Sequence, residues 1–186
     1  WQLDGFTSNV PACQKRLDFG LVPLAFRAVM KAMLYRYLRR GRRGATRPKG
    51  GSMKAIFHDA MPFLRHLEAL KLNHIGAVTP MVCATYVTTC KAYRQISRYK
   101  GKPLSQRGME ARFKAVEALY ELSQYTDDRM PTHPWPESSA KALVGLTGRG
   151  AQGCKTPLIP DDVFCTLFER AYQQVERGQQ LLDLRD

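Results

Sequence analysis

The 186 residues carry 29 Lys and Arg against 16 Asp and Glu, a formal net charge of +13 and a pI near 9.8, while 44% of the chain is hydrophobic. That apolar content suffices for one sizeable core or two small ones and excludes disorder throughout. No run approaches the roughly 18 consecutive apolar residues that span a bilayer, and no charged segment leads into an apolar one at the start, so the default expectation is a soluble cytoplasmic protein that binds an anionic polymer or surface.

In chain order, residues 19–58 hold ten cations and no carboxylate, and the densest part reads RYLRRGRRGATRPKG over 36–50. Phe26, Met30, Met33, Leu34, Tyr37 and Leu38 fall on one helical face, which predicts a helix over 22–40 with Pro23 in its first turn and Gly41 and Gly44 as its stop. A second helix is expected from near Ser52 through Ile56, Ala60, Leu64, Leu67 and Leu70, with Pro62 an expected kink. Thr79 before Pro80 is an N-cap with proline at the first helical position, and the third helix is expected to run to about Tyr99, with Val82, Tyr86 and Cys90 inward. This segment belongs to a second acid-free stretch, 69–109, with seven further cations.

A fourth helix follows Pro103, capped by Ser105, and places Met109, Phe113, Val116 and Tyr120 at helical steps. Residues 126–159 contain Pro131, Pro134, Pro136, Pro157 and four glycines, and read as a hinge or wrapped connector with a short helix over 138–144. Pro160, Asp161 and Asp162 announce a last helix through Val163, Leu167, Phe168, Ala171 and Val175. The expected fold is all-α: a basic bundle of about four helices over 1–125, the Pro/Gly-rich connector 126–159 and a further helix over 160–186.

Candidate binding residues come from the two cationic stretches. Arg39, Arg40, Arg42, Arg43 and Arg47, with Arg36 and Lys49 beside them, form the first set, because guanidinium forks match phosphate oxygens in a bidentate way. A solvated loop that binds nothing specific is the bland alternative. Lys91, Arg94, Arg98, Lys100 and Lys102 form the second. Three- and four-residue steps put Lys91, Arg94 and Arg98 on one helical face, although cations at a helix end also offset its dipole. Tyr35, Tyr37, Tyr93 and Tyr99 read as core edges or as base-stacking platforms. Trp135 between two prolines reads as a plug in the core or as a latch to a following domain.

No cofactor or metal site is expected. His58, His66 and His74 stand eight residues apart, about 80° out of phase on a helix, so they do not converge on one ion. Five cysteines without a close CxxC pair read as reduced thiols.

The segments RLDFGLVPLAFRAVMKAMLYRYLRRGRRG (16–44), VTPMVCATYVTTCKAYR (78–94), RFKAVEALYELSQY (112–125), HPWPESSAKALVGL (133–146), TPLIPDDV (156–163) and LLDLRD (181–186) resemble, in their order, the N-terminal core-binding region of site-specific integrases of the tyrosine recombinase class. The resemblance implies an expected role in gripping double-stranded DNA for integration and recombination. Cutting would belong to a C-terminal catalytic domain of the same protein, beyond a fragment that ends before it, with protomers assembling on DNA. It also implies no catalytic residue here: none of the four histidines is followed three places later by Arg, as the family's His-x-x-Arg element requires. Two alternatives stay open, an RNA- or single-strand-binding scaffold and a basic helix lying on anionic lipid, although no membrane partner is expected.

Overall fold

Asp18 sets the entry to the first helix by accepting the Gly20 N–H at 2.9 Å, which closes a 3-10 turn over Phe19–Leu21. A second such turn, Leu24–Phe26, leads directly into α1, Arg27–Arg40. The computed structural model describes residues 1–2, 16–42, 47–96, 100–146 and 160–183, and in the last of these the side chains through 178. Arg43, Gly44, Arg98 and Tyr99 lie outside the described residues, as do positions 147–159 of the predicted connector.

α1 buries Met30, Met33, Leu34 and Tyr37 of the predicted stripe, with Val29 beside them, and stops where expected, but the predicted start at residue 22 is corrected to Arg27, because Val22 and Pro23 take extended ψ values of 133° and 139° that no helix passes through. Gly41 takes φ 71°, a backbone shape that a side chain resists, and its N–H closes the helix on the Tyr37 carbonyl at 2.8 Å. α2, Gly50–Ala69, runs through Pro62 without a break. The proline forfeits one backbone hydrogen bond, and buried Met61, Phe63 and Leu64 around it hold the helix in register.

Thr79 Oγ1 accepts the Val82 N–H at 3.4 Å and starts α3, Pro80–Ala92. This helix is shorter than the sequence suggests. Tyr93 is extended, and Arg94 forms an isolated antiparallel bridge with Pro103, so the chain leaves the helix for a turn in which Gln95 N–H donates to the Lys102 carbonyl at 3.0 Å. The predicted continuation to Tyr99 is therefore corrected: pairing with the strand-like return wins over local helical spacing.

Ser105 caps α4, Gln106–Ser123, by accepting the Gly108 N–H at 3.1 Å. α4 is the hub, packing on α1, α2, α3 and the one-turn helix α5, Ala140–Leu143. Phe113, Val116, Leu119 and Leu122 are fully buried along it. Among the described residues the architecture is helical, with six α-helices and no strand beyond two isolated bridges.

The boundary expected at residue 125 moves. The first compact unit extends over Trp1–Gly148, because the proline-rich stretch after α4 is packed rather than free. Met130, Trp135, Ala140 and Val144 belong to the core. Ser123 Oγ accepts the Met130 N–H at 3.1 Å, and Trp135 Nε1 donates to Glu117 Oε1 at 2.7 Å, an oxygen that also accepts the Ala140 N–H at 2.8 Å. Trp135 thus plugs the core, edge-on to Phe113 with ring centroids 5.7 Å apart.

Asp128 ties the same stretch to the turn before α3 by accepting the backbone N–H groups of Ile75 at 2.8 Å and Gly76 at 2.6 Å. Asp128→Ala is expected to cost about 2 kcal/mol, since it orphans two donors held by a charged acceptor, and urea unfolding measures it.

The second unit, Arg149–Asp186, is described through α6, Asp161–Asp183. Asp161 and Asp162 occupy its first turn, and Phe164 and Phe168 stack at 6.5 Å on an exposed apolar face. No described helix is long and apolar enough to cross a membrane.

Candidate nucleic-acid interface

Helical spacing puts Arg36, Arg39 and Arg40 of α1 on one face, and Arg47 and Pro48, just before α2, lie beside the same space. Together with Tyr35 and Tyr125 these residues line an open depression of about 1020 Å³. No carboxylate is among its lining residues. Four of the predicted cations are thus gathered at one place by the fold.

Arg36 is the anchored member. Its guanidinium carbon lies 3.8 Å from the centroid of the Tyr125 ring, a close cation–π contact, and its Nε is buried without a hydrogen-bond partner. Tyr125 stands just past the end of α4 and was missed as a site residue by sequence reading, because it falls beyond the helical steps that end at Tyr120. Arg39, Arg40 and Arg47 are exposed and make no ion pair among the described residues. Lys49 is exposed as well and precedes α2, its carbonyl accepting the Ser52 N–H at 2.9 Å.

Arg42 has a different job. Its Nε donates to Glu121 Oε2 at 2.7 Å, with both side chains mostly shielded from solvent, so it straps the exit of α1 to α4. Buried Tyr37 beside this pair has its phenol pKa raised, chiefly by burial, with Arg42 opposing and Glu121 adding to the shift. Arg42→Ala is expected to lower stability by about 1 kcal/mol, as for a partly exposed pair, and a double-mutant cycle with Glu121→Gln recovers that coupling.

The second cationic set is not a helical face. Lys91 lies in the last turn of α3, whereas Arg94 folds back so that Nη1 donates to the carbonyls of Lys91 at 3.3 Å, Ala92 at 3.4 Å and Tyr93 at 3.3 Å. That geometry caps the carbonyl end of the helix, which is the stabilising use of a cation at that position. Lys100 and Lys102 are exposed in the turn beyond it, beside Gly101 at φ 78°.

His66 Nε2 pairs with Thr85 Oγ1 at 3.2 Å, and His133 Nδ1 with the Trp135 backbone. Among the described residues no three His, Cys, Asp or Glu side chains gather as metal ligands. Cys83 and Cys90 are buried free thiols and Cys165 is an exposed one, and burial pushes the Cys83 thiol up to about 12. Comparison of the chain with family models, curated proteins and solved structures yields no match.

Proposed function

We propose that this chain binds duplex DNA through the arginine-lined depression, and that it does so as the DNA-gripping part of a tyrosine-recombinase-type integrase. The observation that carries the first half is the convergence of Arg36, Arg39, Arg40 and Arg47 around one acid-free concavity. Cations that served only solubility would gain nothing from convergence, since like charges brought together repel one another. A polyphosphate backbone reverses that cost by replacing the counterions that four guanidinium groups otherwise hold. The second half rests on the segment resemblance alone. On that reading strand cutting belongs to a C-terminal catalytic domain, and copies of the protein assemble on paired DNA sites.

One observation favours a second reading. Tyr35 is 56% exposed beside the arginines, an arrangement that can stack an unpaired base. Tyr125, the other aromatic wall, already has Arg36 over its face, which leaves a single platform and favours duplex. Competition decides between them: labelled duplex is displaced from the protein by unlabelled duplex at lower concentration than by the separate strands or by anionic liposomes. Stronger displacement by single strands or by liposomes overturns the duplex assignment.

A further inference from the structure

A second depression, separate from the arginine-lined one, opens among α2, α3 and α4. It measures about 390 Å³, within the range of small-molecule sites, and its walls include Pro62, Arg65, His66, Tyr86, Tyr93 and Arg112. Nothing in the duplex reading uses it.

Its charged groups are of one sign, and its hydrogen-bonding groups are weighted toward donors, with the Thr89 hydroxyl and the His66 ring as the neutral exceptions. Tyr86 is 2% exposed, wedged edge-on between Phe63 and Phe113, and its hydroxyl is buried with no oxygen or nitrogen partner. The Cys90 sulfur, one turn further along α3, is near enough to act on the hydroxyl as a hydrogen-bond partner, but a thiol sulfur is a weak acceptor that leaves most of the hydroxyl's donor capacity unused. Arg112, a wall of the depression, and the Asp59 carboxylate, which is not, act on this hydroxyl and on each other. Arg65 and Arg112 make no hydrogen bond or ion pair among the described residues, and the Arg112 guanidinium lies 5.1 Å from the centroid of the Tyr93 ring. Burial lowers the pKa of His66, so it adds no positive charge at neutral pH. No carboxylate lines the space.

Two guanidinium groups and a phenol with no oxygen or nitrogen acceptor are donors in want of acceptors, and the flat apolar surfaces of Pro62 and Tyr93 stand beside them. We propose that this depression binds a small organic anion, a single carboxylate or phosphate group on an apolar ring. Arg112 and Arg65 hold its charge, and the Tyr86 hydroxyl donates to one of its oxygens. Such a ligand supplies the acceptor that a buried hydroxyl lacks.

Benzoate and phenyl phosphate are the probes, titrated into the whole chain and followed by saturation-transfer NMR, with benzyl alcohol as the neutral counterpart. One of the anions binds at about 1 mM or tighter, which a fragment of roughly ten non-hydrogen atoms allows, and benzyl alcohol binds at least tenfold more weakly. Arg112→Gln and Tyr86→Phe each weaken the anion at least fivefold, whereas Lys141→Gln, an exposed cation of α5 outside both depressions, leaves it unchanged. Without ligand, Tyr86→Phe keeps or raises the thermal midpoint, because the hydroxyl it removes has no oxygen or nitrogen partner. A lowered midpoint shows that the hydroxyl is already satisfied inside the fold and overturns the proposal. So do equal binding of benzyl alcohol, no binding of either anion at 10-fold higher concentration, and displacement of the anion by saturating duplex, which would make the depression a seat for nucleic-acid phosphate instead.

Discussion

Trp135→Ala lowers the unfolding free energy by about 3–5 kcal/mol, the loss expected for a buried indole and the cavity it leaves. The ring is 6% exposed and packs on Phe113, and its Nε1 donates to Glu117. Truncation therefore removes apolar burial and also takes one of two donors from a partly buried carboxylate, leaving only the Ala140 N–H. Against a total stability of roughly 5–15 kcal/mol this is a large fraction, and the thermal midpoint drops by about 10 °C or more. Trp135→Phe keeps most of the apolar volume and loses less. If the two variants unfold like the parent, residues 126–146 are a loose connector after all and not part of the helical core.

Replacing Arg39, Arg40 and Arg47 together by Ala reduces duplex affinity on the order of 100-fold near 100 mM salt, at about 1 kcal/mol for each lost phosphate contact. All three are exposed and unpaired among the described residues, so helical circular dichroism and thermal midpoint stay close to the parent's. Arg42 is left intact in this variant because its loss would loosen α1 from α4 and mix a folding effect into a binding one. Titration of a labelled duplex by fluorescence anisotropy reads the change. A triple variant that binds like the parent would remove the depression from the account.

What the sequence makes legible is local. The starts of α3 and α4 are written in Thr79-Pro80 and Ser105, residues that act on backbone donors three positions away. The end of α1 is written in Gly41, which adopts the φ of 71° that closes the helix. The end of α3 is not, because no Gly or Pro stands between Ala92 and Gly101, and the helix is stopped by the pairing of Arg94 with Pro103 across a turn.

The proline-rich stretch misleads in the other direction. Its composition signals a connector, yet Met130 and Trp135 are single apolar residues that fill gaps in the core, with no periodicity to betray them. Charge patterning finds the first cationic set but cannot sort it. Glu121 lies 79 residues from Arg42, so the residue that binds back to the protein looks the same in sequence as those that face outward. Arg112 is hidden likewise, a single cation in an apolar stripe that becomes a wall of the second depression only when α2, α3 and α4 come together.

The claim that the arginine-lined depression holds DNA phosphates is tested most directly by the dependence of duplex affinity on salt, measured for the parent and for the Arg39, Arg40 and Arg47 triple variant. Each phosphate contact contributes about 0.9 to the log–log slope, so loss of three contacts makes the slope shallower by about 2.7. An equal slope in the two proteins would contradict the account, since it would mean that the phosphates are held elsewhere on the chain.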